Sequence, residues 1–123
     1  MQRPDSETWV IYGDGAFGYS LIEFETFVRL KIPLIAVIGN DACWSQIARE
    51  QVKILQDDVG TRLQHSDYYL AAEALGGKGF LIESPEQIGD VLSKAKQAAA
   101  EGHPVLINAL LGASSFREGS ISM

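Results

Sequence analysis

The chain has 123 residues, a net charge of −6 and one cysteine, Cys43. That length suits a single domain, the charge and the lack of a basic stripe argue against nucleic-acid binding, and a lone cysteine excludes an internal disulfide. Hydrophobic residues make up 46% and charged residues 21%, which excludes disorder, and no apolar run nears the roughly 18 residues that span a bilayer.

Taken in chain order, "TWVIY" (8–12) is short, β-branched and aromatic and predicts a buried strand. "YSLIEFETFVRLK" (19–31) predicts a helix with Leu21, Phe24 and Val28 on one stripe, acids early, bases late, and Pro33 as its stop. "LIAVIG" (34–39) is a continuous apolar run, the pattern of a strand covered on both faces. "NDACWSQIAREQ" predicts a loop and a short helix, and residues 53–66 a loop. "DYYLAAEALGG" predicts a helix with Asp67 as N-cap and Gly76 as C-cap. "GFLI" (79–82) is a third strand. Ser84, Pro85 and Gln87 form a capping-box start. Ile88, Val91, Leu92, Ala95 and Ala99 then keep helical spacing, and "PVLINAL" (104–110) is a fourth strand. Strands alternating with helices predict an α/β fold, a parallel sheet flanked by helices. Residues 1–113 are expected to form the domain and residues 114–123 a flexible tail. The N-terminus lacks the apolar core of a signal peptide, so a soluble chain with no targeting segment is expected. Its first strand comes so early that a domain drawn from a longer chain is expected.

The chemistry concentrates in "WVIYGDGAFGYSLIEF". Gly13, Gly15 and Gly18 spell G-x-G-x-x-G between a strand and a helix, the context of a dinucleotide-binding loop. Asp14 does not belong in such a loop. A carboxylate about 4 Å from a phosphate is repelled by roughly 4 kcal/mol at an effective dielectric near 20. A divalent cation between the two removes the conflict, and Mg²⁺ takes carboxylate, amide and carbonyl oxygens together with phosphate. The second strand ends at Asn40 and Asp41. Adjacent parallel strands would bring Asn40 beside Asp14, at the strand ends where ligands of open α/β sheets collect. The carbonyl of Ala42 offers a third oxygen.

GDG, 24 residues and then Asn40 resembles the metal and diphosphate motif of thiamine-diphosphate enzymes, with Gly39 in place of the first of the family's paired asparagines. "GDGAFGYSLIEFETFVR", "KIP", "GNDACWSQIAREQV", "GHPVLIN" and "FREGSI" extend the resemblance along nearly the whole chain, to the C-terminal part of the acetolactate synthase-like proteins, also described as 2-hydroxyacyl-CoA lyases. The resemblance implies thiamine diphosphate and Mg²⁺ as cofactors. Asp14 and Asn40 would hold the metal through side chains and Ala42 through its carbonyl. Gly13 and the backbone amides of Gly15, Ala16, Phe17, Cys43 and Trp44 would hold the diphosphate. The family commonly has glycine where Ala42 stands; alanine suits the role if its φ stays negative.

The resemblance further implies carbon–carbon lyase or carboligase chemistry on a 2-hydroxyacyl-CoA or a 2-oxo acid, as part of a homodimer or homotetramer. The glutamate that activates the cofactor would come from another domain, N-terminal in the parent chain, so no catalytic residue is assigned here. Animal members of the group sit at the endoplasmic reticulum membrane. The alternative is an NAD- or FAD-binding Rossmann-type domain of an oxidoreductase, with Asp41 as its ribose-binding acid. Arg49 and Arg117 are candidates for contact with an anionic substrate.

Overall fold

The computed structural model describes residues 6–113. Four strands form one parallel sheet in the order β1-β2-β4-β3: β1 Trp9–Gly13, β2 Ile35–Asn40, β3 Lys78–Ile82 and β4 Val105–Leu110. The helices are α1 Asp14–Phe17, α2 Glu23–Arg29, α3 Ser45–Leu55, α4 Tyr68–Ala74 and α5 Ile88–Ala100. The expected α/β class is the observed one.

Alternation along the strands splits the core into two layers. Ala36, Ile38 and Leu106 face Phe17, Phe24 and Ala72, under α1, α2 and α4. Ile35, Val105 and Ile107 face Val91, Ala95 and Ala98 of α5. Asn40 and Asn108 keep the parity of Ile38 and Leu106. The α2–α4 face of the sheet therefore becomes polar toward its carboxyl end.

β1 is an edge strand, and the buried strand expected there is corrected. Its Tyr12 packs with the first layer, but Ile11 on the other face is 80% exposed and Trp9 is also exposed. The cause is coverage: α5 spans β2, β4 and β3 and contributes no comparable packing against β1.

The helix expected over 19–31 is shorter, α2 at Glu23–Arg29. Bonds from Ser20 N–H to Phe17 O and from Glu23 N–H to Ser20 O make a tight turn between α1 and α2. α2 stops before Pro33 does any work. Ile32 N–H reaches Phe27 O and Lys31 N–H reaches Val28 O, with Lys31 at φ +53. That is a Schellman closure carried by a lysine. α4 closes the same way, with Gly76 at φ +94 one position beyond its C-cap Leu75. Asp67 stands at the N-cap of α4 as expected, without a side-chain capping bond. The Ser84–Gln87 capping box is present and opens a 3-10 turn that leads into α5.

α3 runs to Leu55, three residues into the stretch expected as loop. The remainder, 56–66, folds back on the segment after β2. Thr61 O accepts from Trp44 N–H, Leu63 N–H donates to Ala42 O, and Cys43 bridges Arg62 in antiparallel fashion. The 114–123 tail, with Arg117, lies outside the described residues.

Candidate functional site

β1 and β2 pair with Gly13 opposite Gly39, so the residues that follow each strand emerge side by side. Asp14 begins α1 and is 2% exposed; Asn40 ends β2 and is fully buried. Two consecutive amides tie them to one loop. Cys43 N–H donates to Asp14 Oδ2 at 3.2 Å, and Ala42 N–H donates to Asn40 Oδ1 at 3.3 Å. Gly15 N–H donates to Asp14 Oδ1 at 2.9 Å. The expected juxtaposition of Asp14 and Asn40 is therefore present.

The orientation of Asn40 is set by a partner that sequence pattern does not mark. Its Nδ2 donates to Asn108 Oδ1 at 3.2 Å and to Ser66 O at 3.3 Å, while Asn108 Nδ2 donates to the same Ser66 carbonyl at 3.0 Å. With both amide hydrogens directed toward Asn108 and Ser66, the oxygen of Asn40 is left toward the loop at Ala42. Asn108 reads in the sequence as one polar residue inside an apolar strand. Its parity with Leu106 was the available signal.

Burial pushes the Asp14 carboxyl above the ordinary aspartate value, and the negative Asp41 nearby pushes the same way; the amides of Gly15 and Cys43 oppose them. Two carboxylates and little solvent make a place where a cation would be welcome. Asp41 itself accepts from Ser45 Oγ in the first turn of α3. It is thereby committed to the start of α3, not displayed for a ribose.

The donor chemistry is selective. Among the described residues no three His, Cys, Asp or Glu side chains converge on a point. The oxygens expected of this site are a carboxylate, an amide oxygen and a loop carbonyl, a set that would suit a hard cation and not zinc. Ala42 does not meet the condition set for it. Its φ is +54, in the left-handed region that favours the family's glycine, so alanine stands there under backbone strain. The double anchoring of the loop, by Asn40 on one side and Leu63 on the other, holds it there. Its carbonyl already accepts from Leu63 N–H at 2.8 Å and has a second lone pair to offer.

The amides named for the diphosphate are not equivalent. Those of Gly15 and Cys43 serve Asp14, and that of Trp44 donates to Thr61 O at 2.8 Å. Ala16 lies in the first turn of α1, where an amide has no intrahelical acceptor; Phe17 is the first residue whose amide reaches back a full turn. The Phe17 side chain is buried in the core, edge-on to Tyr12, Phe24 and Tyr68, and fixes α1 on the sheet. Above Gly13 the space is open. Trp44 precedes α3 with its indole against Gly15. No helix among the described residues is long and apolar enough to cross a membrane.

Comparison with known proteins agrees with this geometry. The family described as "Thiamine pyrophosphate enzyme, C-terminal TPP binding domain" matches residues 1–109. The chain is 52% identical over 123 residues to 2-hydroxyacyl-CoA lyase 2 of Danio rerio, covering 98% of this chain and 20% of that protein. It is 35% identical over 108 residues to acetolactate synthase of Bacillus subtilis, covering 88% of this chain and 18% of that one. A solved thiamine diphosphate-dependent 4-hydroxybenzoylformate decarboxylase of Rhodococcus jostii RHA1 superposes with a TM-score of 0.76 at 26% identity, covering 90% of this chain and 21% of that one. The chain thus spans about a fifth of the length of the relatives it matches. A buried acid and an asparagine at neighbouring strand ends, in a chain so matched, have a family: the chain belongs to the thiamine pyrophosphate enzymes, as their C-terminal TPP-binding domain.

Proposed function

We propose that this domain holds Mg²⁺ and the diphosphate end of thiamine diphosphate within a carbon–carbon lyase or carboligase that acts on 2-hydroxyacyl-CoA or 2-oxo acids. The observation that carries it is the pair of oxygens from Asp14 and Asn40, set at adjacent strand ends and fixed by consecutive amides of one loop. A buried carboxylate facing phosphates is tolerable only with a cation between them. Asp14, Asn40 and the Ala42 carbonyl would hold that cation. Gly13, Gly15, Ala16 and Phe17 on one side, and Cys43 and Trp44 on the other, would line the diphosphate.

The bound cofactor would supply the chemistry at the carbonyl of the substrate. This chain's part is to bind and orient the diphosphate end. The likeness to 2-hydroxyacyl-CoA lyase 2 exceeds that to acetolactate synthase and favours the acyl-CoA substrate. The rest of the enzyme, including the glutamate that meets the cofactor's aminopyrimidine, belongs to domains N-terminal in the parent and to a dimeric or tetrameric assembly. Exposed apolar residues on β1 and α3 support burial against such neighbours.

The test is calorimetric titration with thiamine diphosphate, with and without Mg²⁺, using circular dichroism to confirm folding. Binding is expected to require the metal, and Asp14→Ala or Asn40→Ala to remove that requirement together with the affinity. Metal-dependent binding by Asp14→Ala equal to that of the unsubstituted protein would refute the assignment.

A further inference from the structure

Only one of the three glycines in Gly13–Gly18 is required by a side chain. A Cβ on Gly13 would meet nothing within 4 Å, and one on Gly18 would meet only the Gly15 carbonyl, at 3.3 Å. A Cβ on Gly15 would lie 2.5 Å from two ring carbons of Trp44 and 2.9 Å from a third. The backbone does not explain this glycine, because the glycines with positive φ are Gly60, Gly76 and Gly102. Helix propensity argues against it, since Gly15 lies within α1 and alanine is the better helix former. In dinucleotide loops the second glycine lets backbone approach phosphate. Here the volume above it is taken by an indole.

Trp44 is anchored at its backbone, whose N–H donates to Thr61 O at 2.8 Å. Its ring lies 5.8 Å from the ring of Tyr19, tilted by 54°. Trp44 thus bridges the loop after β1 and the loop after β2. The bonds that otherwise tie Asp14 and Asn40 to the second loop are long, at 3.2 and 3.3 Å.

We propose that Trp44 is a positioning residue: its indole, seated in the space Gly15 leaves, clamps the Gly13–Gly18 loop to the Asn40–Trp44 loop and so aligns the two halves of the cofactor site. Gly15 is glycine to admit that ring. The clamp is a property of the chain itself; its effect on cofactor affinity rests on the function proposed above.

A size-exchange cycle in the cofactor-free protein tests it, with Trp9→Phe as background so that emission reports Trp44 alone. Gly15→Ala is expected to lower the melting temperature by at least about 4 °C and to shift Trp44 emission to the red. In a Trp44→Ala background the same substitution is expected to be neutral or stabilising. Equal losses in both backgrounds would overturn the clamp. Should Trp44→Ala fail to fold, Trp44→Leu serves in the same cycle. With Mg²⁺ and thiamine diphosphate, Trp44→Ala is expected to bind about 10-fold more weakly and Trp44→Phe nearly as well as the unsubstituted protein. Unchanged affinity in Trp44→Ala would also overturn it. If the unsubstituted protein binds no cofactor, the functional reading falls, and the cofactor-free cycle still decides the clamp.

Discussion

Asn108 shows how one buried amide can set the orientation of a proposed metal ligand, Asn40. It accepts from Asn40 Nδ2 and shares the Ser66 carbonyl with it. Removing it frees the Asn40 amide to turn over and present nitrogen where oxygen is needed. Partners of metal ligands typically cost about 10–100-fold in affinity when removed. Asn108→Ala is therefore expected to weaken Mg²⁺-dependent binding of thiamine diphosphate within that range, measured by titration at fixed cofactor. A change under about 3-fold would show that Asn40 holds its orientation alone. Asp14 and Asn40 were legible in the sequence as neighbours, because adjacent parallel strands bring their carboxyl ends together. Asn108, Ser66 and Thr61 were not. Their roles depend on register across β2 and β4 and on a loop that folds back; the parity of Asn108 with Leu106 marked its face, and nothing marked its partners. The positive φ of Ala42 was hidden for the same reason: anchors on both sides of the loop impose it.

At the scale of elements, short apolar runs marked the four strands and helical spacing the helices between them, because each strand in the centre of the sheet is covered on both sides. It failed at β1, since an apolar run looks the same at an edge as in the middle. A small polar cluster lies on that edge. Trp9 Nε1 donates to Glu7 Oε2 at 3.0 Å, Lys96 of α5 pairs with the same carboxylate at 3.3 Å, and the ammonium stands 6.0 Å from the Trp9 ring centre. The Trp9 bond first, and Lys96 second, hold the Glu7 carboxyl below its ordinary value of 4.5. An acid with a lowered folded-state pKa contributes stability above its unfolded pKa, and that stability is lost as pH falls through the folded value. Trp9 is therefore expected to loosen from α5 as pH falls below the ordinary glutamate value of 4.5. Its emission would report this in a Trp44→Phe background. Glu7→Gln should flatten the acid response while leaving emission at neutral pH close to its starting point. An unchanged acid transition in Glu7→Gln would assign it to another carboxylate. The exposed position of the cluster keeps the effect small and sensitive to salt.

The whole domain leaves apolar surface in view where a finished enzyme would not. Ile11 on β1 is exposed, α3 buries none of its residues, and Ile54 on it is 77% exposed. Charge placement carries the same message about catalysis. Thiamine diphosphate is activated when a carboxylic acid in a buried setting meets its aminopyrimidine, since burial is what keeps such an acid protonated. All eight glutamates among the described residues, at 7, 23, 25, 50, 73, 83, 86 and 101, are exposed. Those with a resolved shift, Glu7 and Glu86, are lowered, the wrong direction for an acid of this kind. The buried acid among the described residues is Asp14, which the proposed function sets at the diphosphate end. The 123-residue chain is therefore expected to bind the cofactor's diphosphate without activating its thiazolium. Proton exchange at C2 of thiamine diphosphate, followed by NMR with Mg²⁺ present, should run at the rate of buffer and metal alone. Supplying the glutamate-bearing domain should raise it. Exchange accelerated by this chain on its own, and abolished by substitution of one of its carboxylates, would place the activating acid here and overturn the division of labour between the domains.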